Sequence, residues 1–176
     1  DVIQVEIRHD GLSGFGEGAP IERYDESAQS ALQYIEEAGT LLGDDPFALD
    51  EIEERLEPRE WAARSALDAA LHDLQGKLAE VAVWRLLGLR RLGPPTSWTI
   101  WLGEPDDMGD RAAKVARRFK RLKLKLGAGD GRDVDRVRAV RELTAAPLQV
   151  DVNEGWARDE ALDALPQLAE LGVEYC

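Results

Sequence analysis

Apolar and polar residues alternate from Val2 to Ile7, the period-2 signature of a strand, and Asp10-Gly11 then signals a tight turn. A hairpin is therefore expected at the start. Gly14-Phe15-Gly16-Glu17-Gly18-Ala19 reads as a glycine-rich second strand, followed by a loop over residues 19–24. The pattern turns helical over 25–42, with Asp25 as N-cap and Gly43 as the stop. Asp45-Pro46 predicts a further start, with Asp at the cap and Pro at the first helical position. A third helix is expected over 59–81, where Ala62, Ala66, Ala69, Ala70 and Leu74 put small residues on one face. A short helix closes over 84–88, and Gly93-Pro94-Pro95 reads as a linker.

Beyond the linker the rhythm changes. Strands are expected over 96–101, 122–126 and 148–152, helices over 105–118, 132–143 and 159–171, and Val173 begins another strand. Such alternation implies crossover connections and a parallel sheet. The expected division is an α+β capping domain over 1–93, its N-terminal part missing, and three to four βα units over 94–176. The fold class expected is α/β, a partial (β/α) TIM-type barrel preceded by the cap.

On the strand at 122–126 the leucines point to one face and Lys123 and Lys125 to the other. A lysine pair on an inward face is costly to desolvate, and burial readily lowers a lysine's pKa. That makes Lys125 a candidate catalytic base. Thr99, Lys125 and Asp151 are spaced 26 residues apart, each at or near a strand's C-terminal end. In a barrel those ends share one mouth, where the active site is built. An open doubly wound sheet would gather them at a switch point instead. Gln149, Asp151 and Asn153 share a face by the same period-2 rule. A lone carboxylate there suits a hard divalent cation but does not complete its ligand shell.

Composition narrows the function classes. The 176 residues are 44% apolar and 32% charged, with a net charge of -13, so the chain is globular and not disordered. An acidic chain is a poor partner for nucleic acid or an anionic membrane. No apolar run approaches the roughly 18 residues of a membrane span, and no signal peptide is visible. The single cysteine, Cys176, rules out an internal disulfide and fits a cytoplasmic location. The chain starts inside a strand pattern without Met and stops as another strand forms, so it is expected to be a fragment.

Lys123-Leu124-Lys125 with Leu126-Gly127, then Val150-Asp151-Val152-Asn153-Glu154-Gly155-Trp156, resemble the K-x-K and D-x-N-x-G-W signatures of the enolase superfamily, muconate-lactonizing subgroup. Thr96-Ser97-Trp98-Thr99-Ile100 looks most like the dipeptide epimerases of the L-Ala-D/L-Glu type. The segments Gly16–Pro20, Arg23-Tyr24, Ala63–Leu74 and Gly76-Lys77 resemble the family's capping domain. The resemblance implies an isomerase that binds a substrate carboxylate to Mg2+, removes the α-proton with a lysine and passes through an enediolate. In such sites a lysine or histidine base works beside the metal that stabilises the intermediate. The resemblance assigns Lys125 as the base, Lys123 to the substrate carboxylate, Asp151 as a metal ligand, Thr99 to the substrate, and Asn153 to substrate or metal. It implies a small-molecule partner, a dipeptide or other carboxylate, and a homo-oligomer in full-length form. The remaining ligands and a second lysine would lie beyond Cys176, leaving the fragment inactive. Cycloisomerases and o-succinylbenzoate synthases share the core motifs.

Plainer readings compete at several points. Gly14–Ala19 matches a dinucleotide fingerprint, yet Pro20 stands where the helix would have to begin. His72 and Asp73 read as packed or exposed helix residues. Trp61, Trp84 and Trp98 read as packing residues, with Trp156 open to either role. The basic run Arg111, Lys114, Arg117, Arg118, Lys120, Arg121, Lys123 and Lys125 reads as a solvated helix end or an anion patch. A non-catalytic (β/α) module that binds an anion with the lysine pair is the alternative from another class.

Overall fold

The computed structural model describes every residue from Asp1 to Cys176 and divides into two compact units, Asp1–Leu92 and Gly93–Cys176.

In the first unit, β1 (Ile3–His9) pairs antiparallel with β2 (Leu12–Gly18). Asp10 and Gly11 both take positive φ in the turn between them, as a two-residue hairpin of the I′ type requires. Three helices follow: α1 (Ala28–Gly39), α2 (Leu49–Arg55) and α3 (Trp61–Leu78). The short α4 (Val83–Leu86) closes the unit. Ile3 and Val5 of β1 enter one core with Ala31, Tyr34, Ile52, Ala66, Leu67 and Leu71.

The glycines of β2 are there for packing. A Cβ on Gly14, Gly16 or Gly18 would collide with the backbone carbonyls of Ala70, Ala66 and Ala62 respectively. The small face of α3 therefore lies directly against a strand with no side chains on that side. This close approach is what the glycine run supplies, and the dinucleotide reading is excluded because no helix starts at these glycines.

Two helix starts differ from expectation. Ser27, not Asp25, caps α1, in a reciprocal capping box with Ser30, while Asp25 takes a left-handed conformation. Asp45 does not cap a helix at Pro46. Its carboxylate accepts the Phe47 N–H in a local turn, a competing use of short polar side chains, and α2 starts only at Leu49. The start of α3 is held from a distance. The buried Glu26 carboxylate accepts the N–H groups of Trp61 and Ala62, which fits the positive end of a helix. Asp73 accepts the Phe15 N–H and pairs with Lys77, so it is a tie between β2 and α3 rather than half of an acid/base pair with His72.

The second unit has strands β3 (Ser97–Ile100), β4 (Arg121–Lys125), β5 (Leu148–Asp151) and β6 (Val173–Tyr175). They are parallel neighbours in chain order. Helices α5 (Pro105–Val115), α6 (Asp133–Leu143) and α7 (Arg158–Glu170) connect them. Ile100, Leu122, Leu124, Leu148 and Val150 share one core with Met108, Ala112, Val137, Val140 and Leu168 from the three helices. All three helices thus cover the same sheet face, and the strand order never reverses. A doubly wound sheet needs helices on both faces and a switch point, whereas a (β/α) barrel winds this way. No helix is long and apolar enough to cross a membrane.

The β2–α3 contact makes a sharp prediction. Gly16→Ala should destabilise the protein by about 1–3 kcal/mol or more through overpacking. Gly39→Ala, where a Cβ meets nothing within 4 Å, should be neutral or stabilising by up to about 1 kcal/mol. Urea denaturation of the two variants checks the contrast.

Candidate functional site at the carboxyl ends of the parallel strands

The site grows out of the alternation on β4. Leu122 and Leu124 are fully buried toward the helices, so Lys123 and Lys125 must emerge on the opposite face. The parallel register sets Lys125 beside Asp151 and Lys123 beside Gln149. Lys123 Nζ lies 2.7 Å and Lys125 Nζ 3.0 Å from Asp151 Oδ2. Lys125 also donates to Asn153 Oδ1 at 2.7 Å, and the Asn153 N–H donates to Asp151 Oδ1 at 2.9 Å. Asn153 takes a positive φ, a conformation asparagine tolerates better than most residues. This turn folds its amide back over the strand end.

Four of the five sequence-derived residues therefore meet: Lys123, Lys125, Asp151 and Asn153. Thr99 shares their sheet face but is a rung lower. It pairs with Lys123 rather than Lys125, so the equal sequence spacing does not translate into one row of side chains. Connections of similar length can differ in register, and only the ladder fixes level. The lysines are also less buried than expected, with side chains 37% and 22% exposed. Their charges are met by a carboxylate in a half-open setting rather than stranded in a dry one.

The Asp151 carboxyl is held well below the usual carboxylate range, first by the hydrogen bond from Lys123 and then by that from Lys125. Beneath it, Ser97 donates to Gln149 Oε1 at 2.9 Å, and Gln149 is buried.

Sequence reasoning missed the support around these strand ends. Asp133, the first residue of α6, accepts the Gly127 N–H and the Trp156 indole N–H and pairs with the buried Arg136. Trp156 is thereby anchored, packed against the core of this unit. Gly127 and Gly155 cross so closely that a Cβ on either would strike the other loop's backbone. The glycines and tryptophan were visible in the motifs, but an aspartate at a helix start reads only as a cap.

For a metal the donor set is short. No group of three or more His, Cys, Asp or Glu side chains converges to hold one. Asp151 has the chemistry of a single oxygen ligand, already ionised.

A parallel sheet covered by helices on one face, with ion-pairing groups at its carboxyl ends, defines an α/β-barrel type of site. Residues 1–88 match the mandelate racemase/muconate lactonizing enzyme N-terminal domain, and residues 107–176 match the enolase C-terminal domain-like family. The chain belongs to the mandelate racemase/muconate lactonizing enzyme family of the enolase superfamily, as an α+β cap with part of a (β/α) barrel. It is 34% identical to an L-Ala-D/L-Glu epimerase of Bacteroides thetaiotaomicron, over 97% of this chain and 45% of that protein. It is 33% identical to a chloromuconate cycloisomerase of Cupriavidus necator, over 97% and 50%. Among solved structures, the dipeptide epimerase of Enterococcus faecalis with Mg and L-Leu-L-Tyr superposes with a TM-score of 0.90 at 32% identity, over 98% of this chain and 51% of that one. The chain spans about half the length of the relatives it matches.

The cluster has a definite response to acid. The folded-state pKa of Asp151 lies below the unfolded value of about 3.9, so acid protonates the unfolded state first. The stabilisation is complete above about pH 4 and drains away as pH falls toward the folded pKa. In a carboxyl-carbon NMR titration of the intact protein, Asp151 should remain ionised at pH values where exposed aspartates titrate. Lys123→Met should raise its midpoint, and an ordinary midpoint in the wild type would contradict the cluster.

Proposed function

We propose that the intact protein carrying this chain is a Mg2+-dependent dipeptide epimerase in which Lys125 is the base. The observation that carries this reading is the meeting of Lys123, Lys125, Asn153 and Asp151 at the ends of neighbouring parallel strands. Its support is the similarity to proteins named as dipeptide epimerases. In this reading Asp1–Leu92 is the capping domain and Gly93–Cys176 the barrel portion.

The residues divide the work by chemistry. The hydrogen α to a peptide carboxylate is very weakly acidic, and removing it leaves two negative charges on the substrate. Catalysis therefore needs concentrated positive charge at that carboxylate. Lys123 contributes one charge, fixed beside the site by its strand. The Thr99 hydroxyl, level with Lys123, contacts the substrate. Lys125, once its ammonium has given a proton to solvent, takes the α-proton onto the free amine Nζ, and the C–H electron pair moves toward the carboxylate.

Lys125 Nζ is here directed at Asp151 and Asn153, whereas a base must aim at carbon. A second cation on Asp151 would release it. Asp151 would be this chain's ligand for Mg2+, with Asn153 beside it supporting metal or substrate, as part of a ligand set completed by groups outside these residues. Bound there, Mg2+ would act as a Lewis acid toward the substrate carboxylate. Inversion needs a proton donor on the opposite face, the role that the resemblance gives to a second lysine on a later strand.

The test is exchange of the dipeptide α-proton in D2O with Mg2+, followed by proton NMR on the intact protein. Lys125→Ala should lower exchange by roughly 10²–10⁴-fold. Asp151→Asn should raise the Mg2+ needed for half-maximal activity by about tenfold or more. Normal exchange in Lys125→Ala would contradict the assignment. A cycloisomerase is the second reading, favoured by the chloromuconate cycloisomerase match. It is distinguished by turnover of a muconate and no turnover of any dipeptide.

A further inference from the structure

One buried ion pair ties together the three loops that leave the carboxyl ends of β3, β4 and β5. The Arg136 and Asp133 side chains are only 3% and 8% exposed. Two charges are buried at such depth only when their hydrogen-bonding capacity is used, and here it is. Asp133 Oδ2 accepts the Gly127 N–H at 2.9 Å and the Trp156 indole N–H at 2.7 Å, and Oδ1 accepts Arg136 Nη1 at 3.0 Å. Arg136 donates from Nε to the Gly103 carbonyl at 2.8 Å and grips both Asp130 oxygens, at 2.7 and 2.6 Å. Gly103 follows β3, Gly127 and Asp130 follow β4, and Trp156 follows β5.

A purely stabilising pair could lie anywhere in the core. This one holds Gly127 two residues beyond Lys125 and Trp156 three residues beyond Asn153. Lys125 and Asn153 are themselves in contact. The same two loops cross at Gly127 and Gly155, with no room for a side chain. A shift of either loop therefore moves the Lys125–Asn153 pair.

We infer that Asp133 is a positioning residue: by accepting from Gly127 and Trp156 with one carboxylate oxygen, it sets the placement of the Lys125 and Asn153 side chains. This rests on the reading of Lys125 as base. Asp133 stands outside the lysine–Asp151 cluster and acts through backbone and indole. Its loss should lower kcat more than it raises KM, because Lys123 and Thr99 stay in place.

The experiment uses the intact protein with Mg2+ and a dipeptide, comparing wild type with Asp133→Asn, Trp156→Phe and Asp130→Asn. Asp133→Asn keeps the volume but sets an amide N–H2 against Arg136 or against the two donors. It should lower kcat about 10–100-fold, the scale of a misplacement near 1 Å, with KM changed less than about threefold. Trp156→Phe should lose kcat in the same sense and identifies the Trp156 indole N–H resonance. That resonance should lie downfield in wild type and move upfield in Asp133→Asn. Asp130 touches neither Gly127 nor Trp156 through its carboxylate, so Asp130→Asn should lower the urea midpoint while kcat stays within about threefold of wild type. Should Asp133→Asn fail to fold, Trp156→Phe carries the kcat test. An active wild type whose kcat survives Asp133→Asn or Trp156→Phe, or falls equally in Asp130→Asn, overturns the positioning role alone. A wild type that exchanges no dipeptide α-proton overturns the function reading, and the role with it.

Discussion

Lys125 and Asp151 are partners in the parallel ladder between β4 and β5, and that register is enforced from behind the sheet. Leu122, Leu124 and Leu148 are fully buried against α5, α6 and α7. Each is worth about 1.5–3 kcal/mol when removed from water. A one-residue slip of β4 would drive two lysines into that core and expose two leucines, because side chains alternate with a period of two. The apolar face thus selects the register, and the register brings two ammonium groups to one carboxylate. The chemistry is held by residues that never touch it.

The same economy of close contact shapes both units. In the first, a strand without side chains on one face lets the alanine face of α3 approach to backbone distance. In the second, Gly127 and Gly155 let two loops cross, and Asp133 bonds both sides of the crossing. Both places combine absent side chains with one well-placed carboxylate: Asp73 between β2 and α3, Asp133 between the loops. Glycine removes the steric barrier, and the carboxylate then supplies a directional bond that fixes the approach.

Much of this was legible in the sequence. Alternation at Val2–Ile7 and Leu122–Leu126, and the strand–helix rhythm after Gly93, gave the elements and the parallel sheet, because period is a local property. The K-x-K and D-x-N-x-G-W patterns named four side chains that meet. Helix starts were less legible: Asp25 and Asp45 looked like caps, but Ser27 had the reciprocal partner and the Asp45 side chain closed its own turn. The rung occupied by Thr99 depends on where β3 enters the ladder, which spacing does not encode. The roles of Glu26 and Asp133 were invisible, since Glu26 acts on backbone far along the chain and Asp133 on a loop N–H and a distant indole that only the fold brings together.

For Lys125 to face a substrate carbon, its contact with Asp151 must open. A crystal structure of the intact protein with Mg2+ and a bound dipeptide addresses this most directly. Lys125 Nζ should then lie about 3–3.5 Å from the α-carbon, the separation of a near-attack geometry, with Asp151 turned to the metal and Lys123 on the substrate carboxylate. A complex in which Lys125 still bonds Asp151 while the α-carbon faces a different side chain would contradict Lys125 as the base.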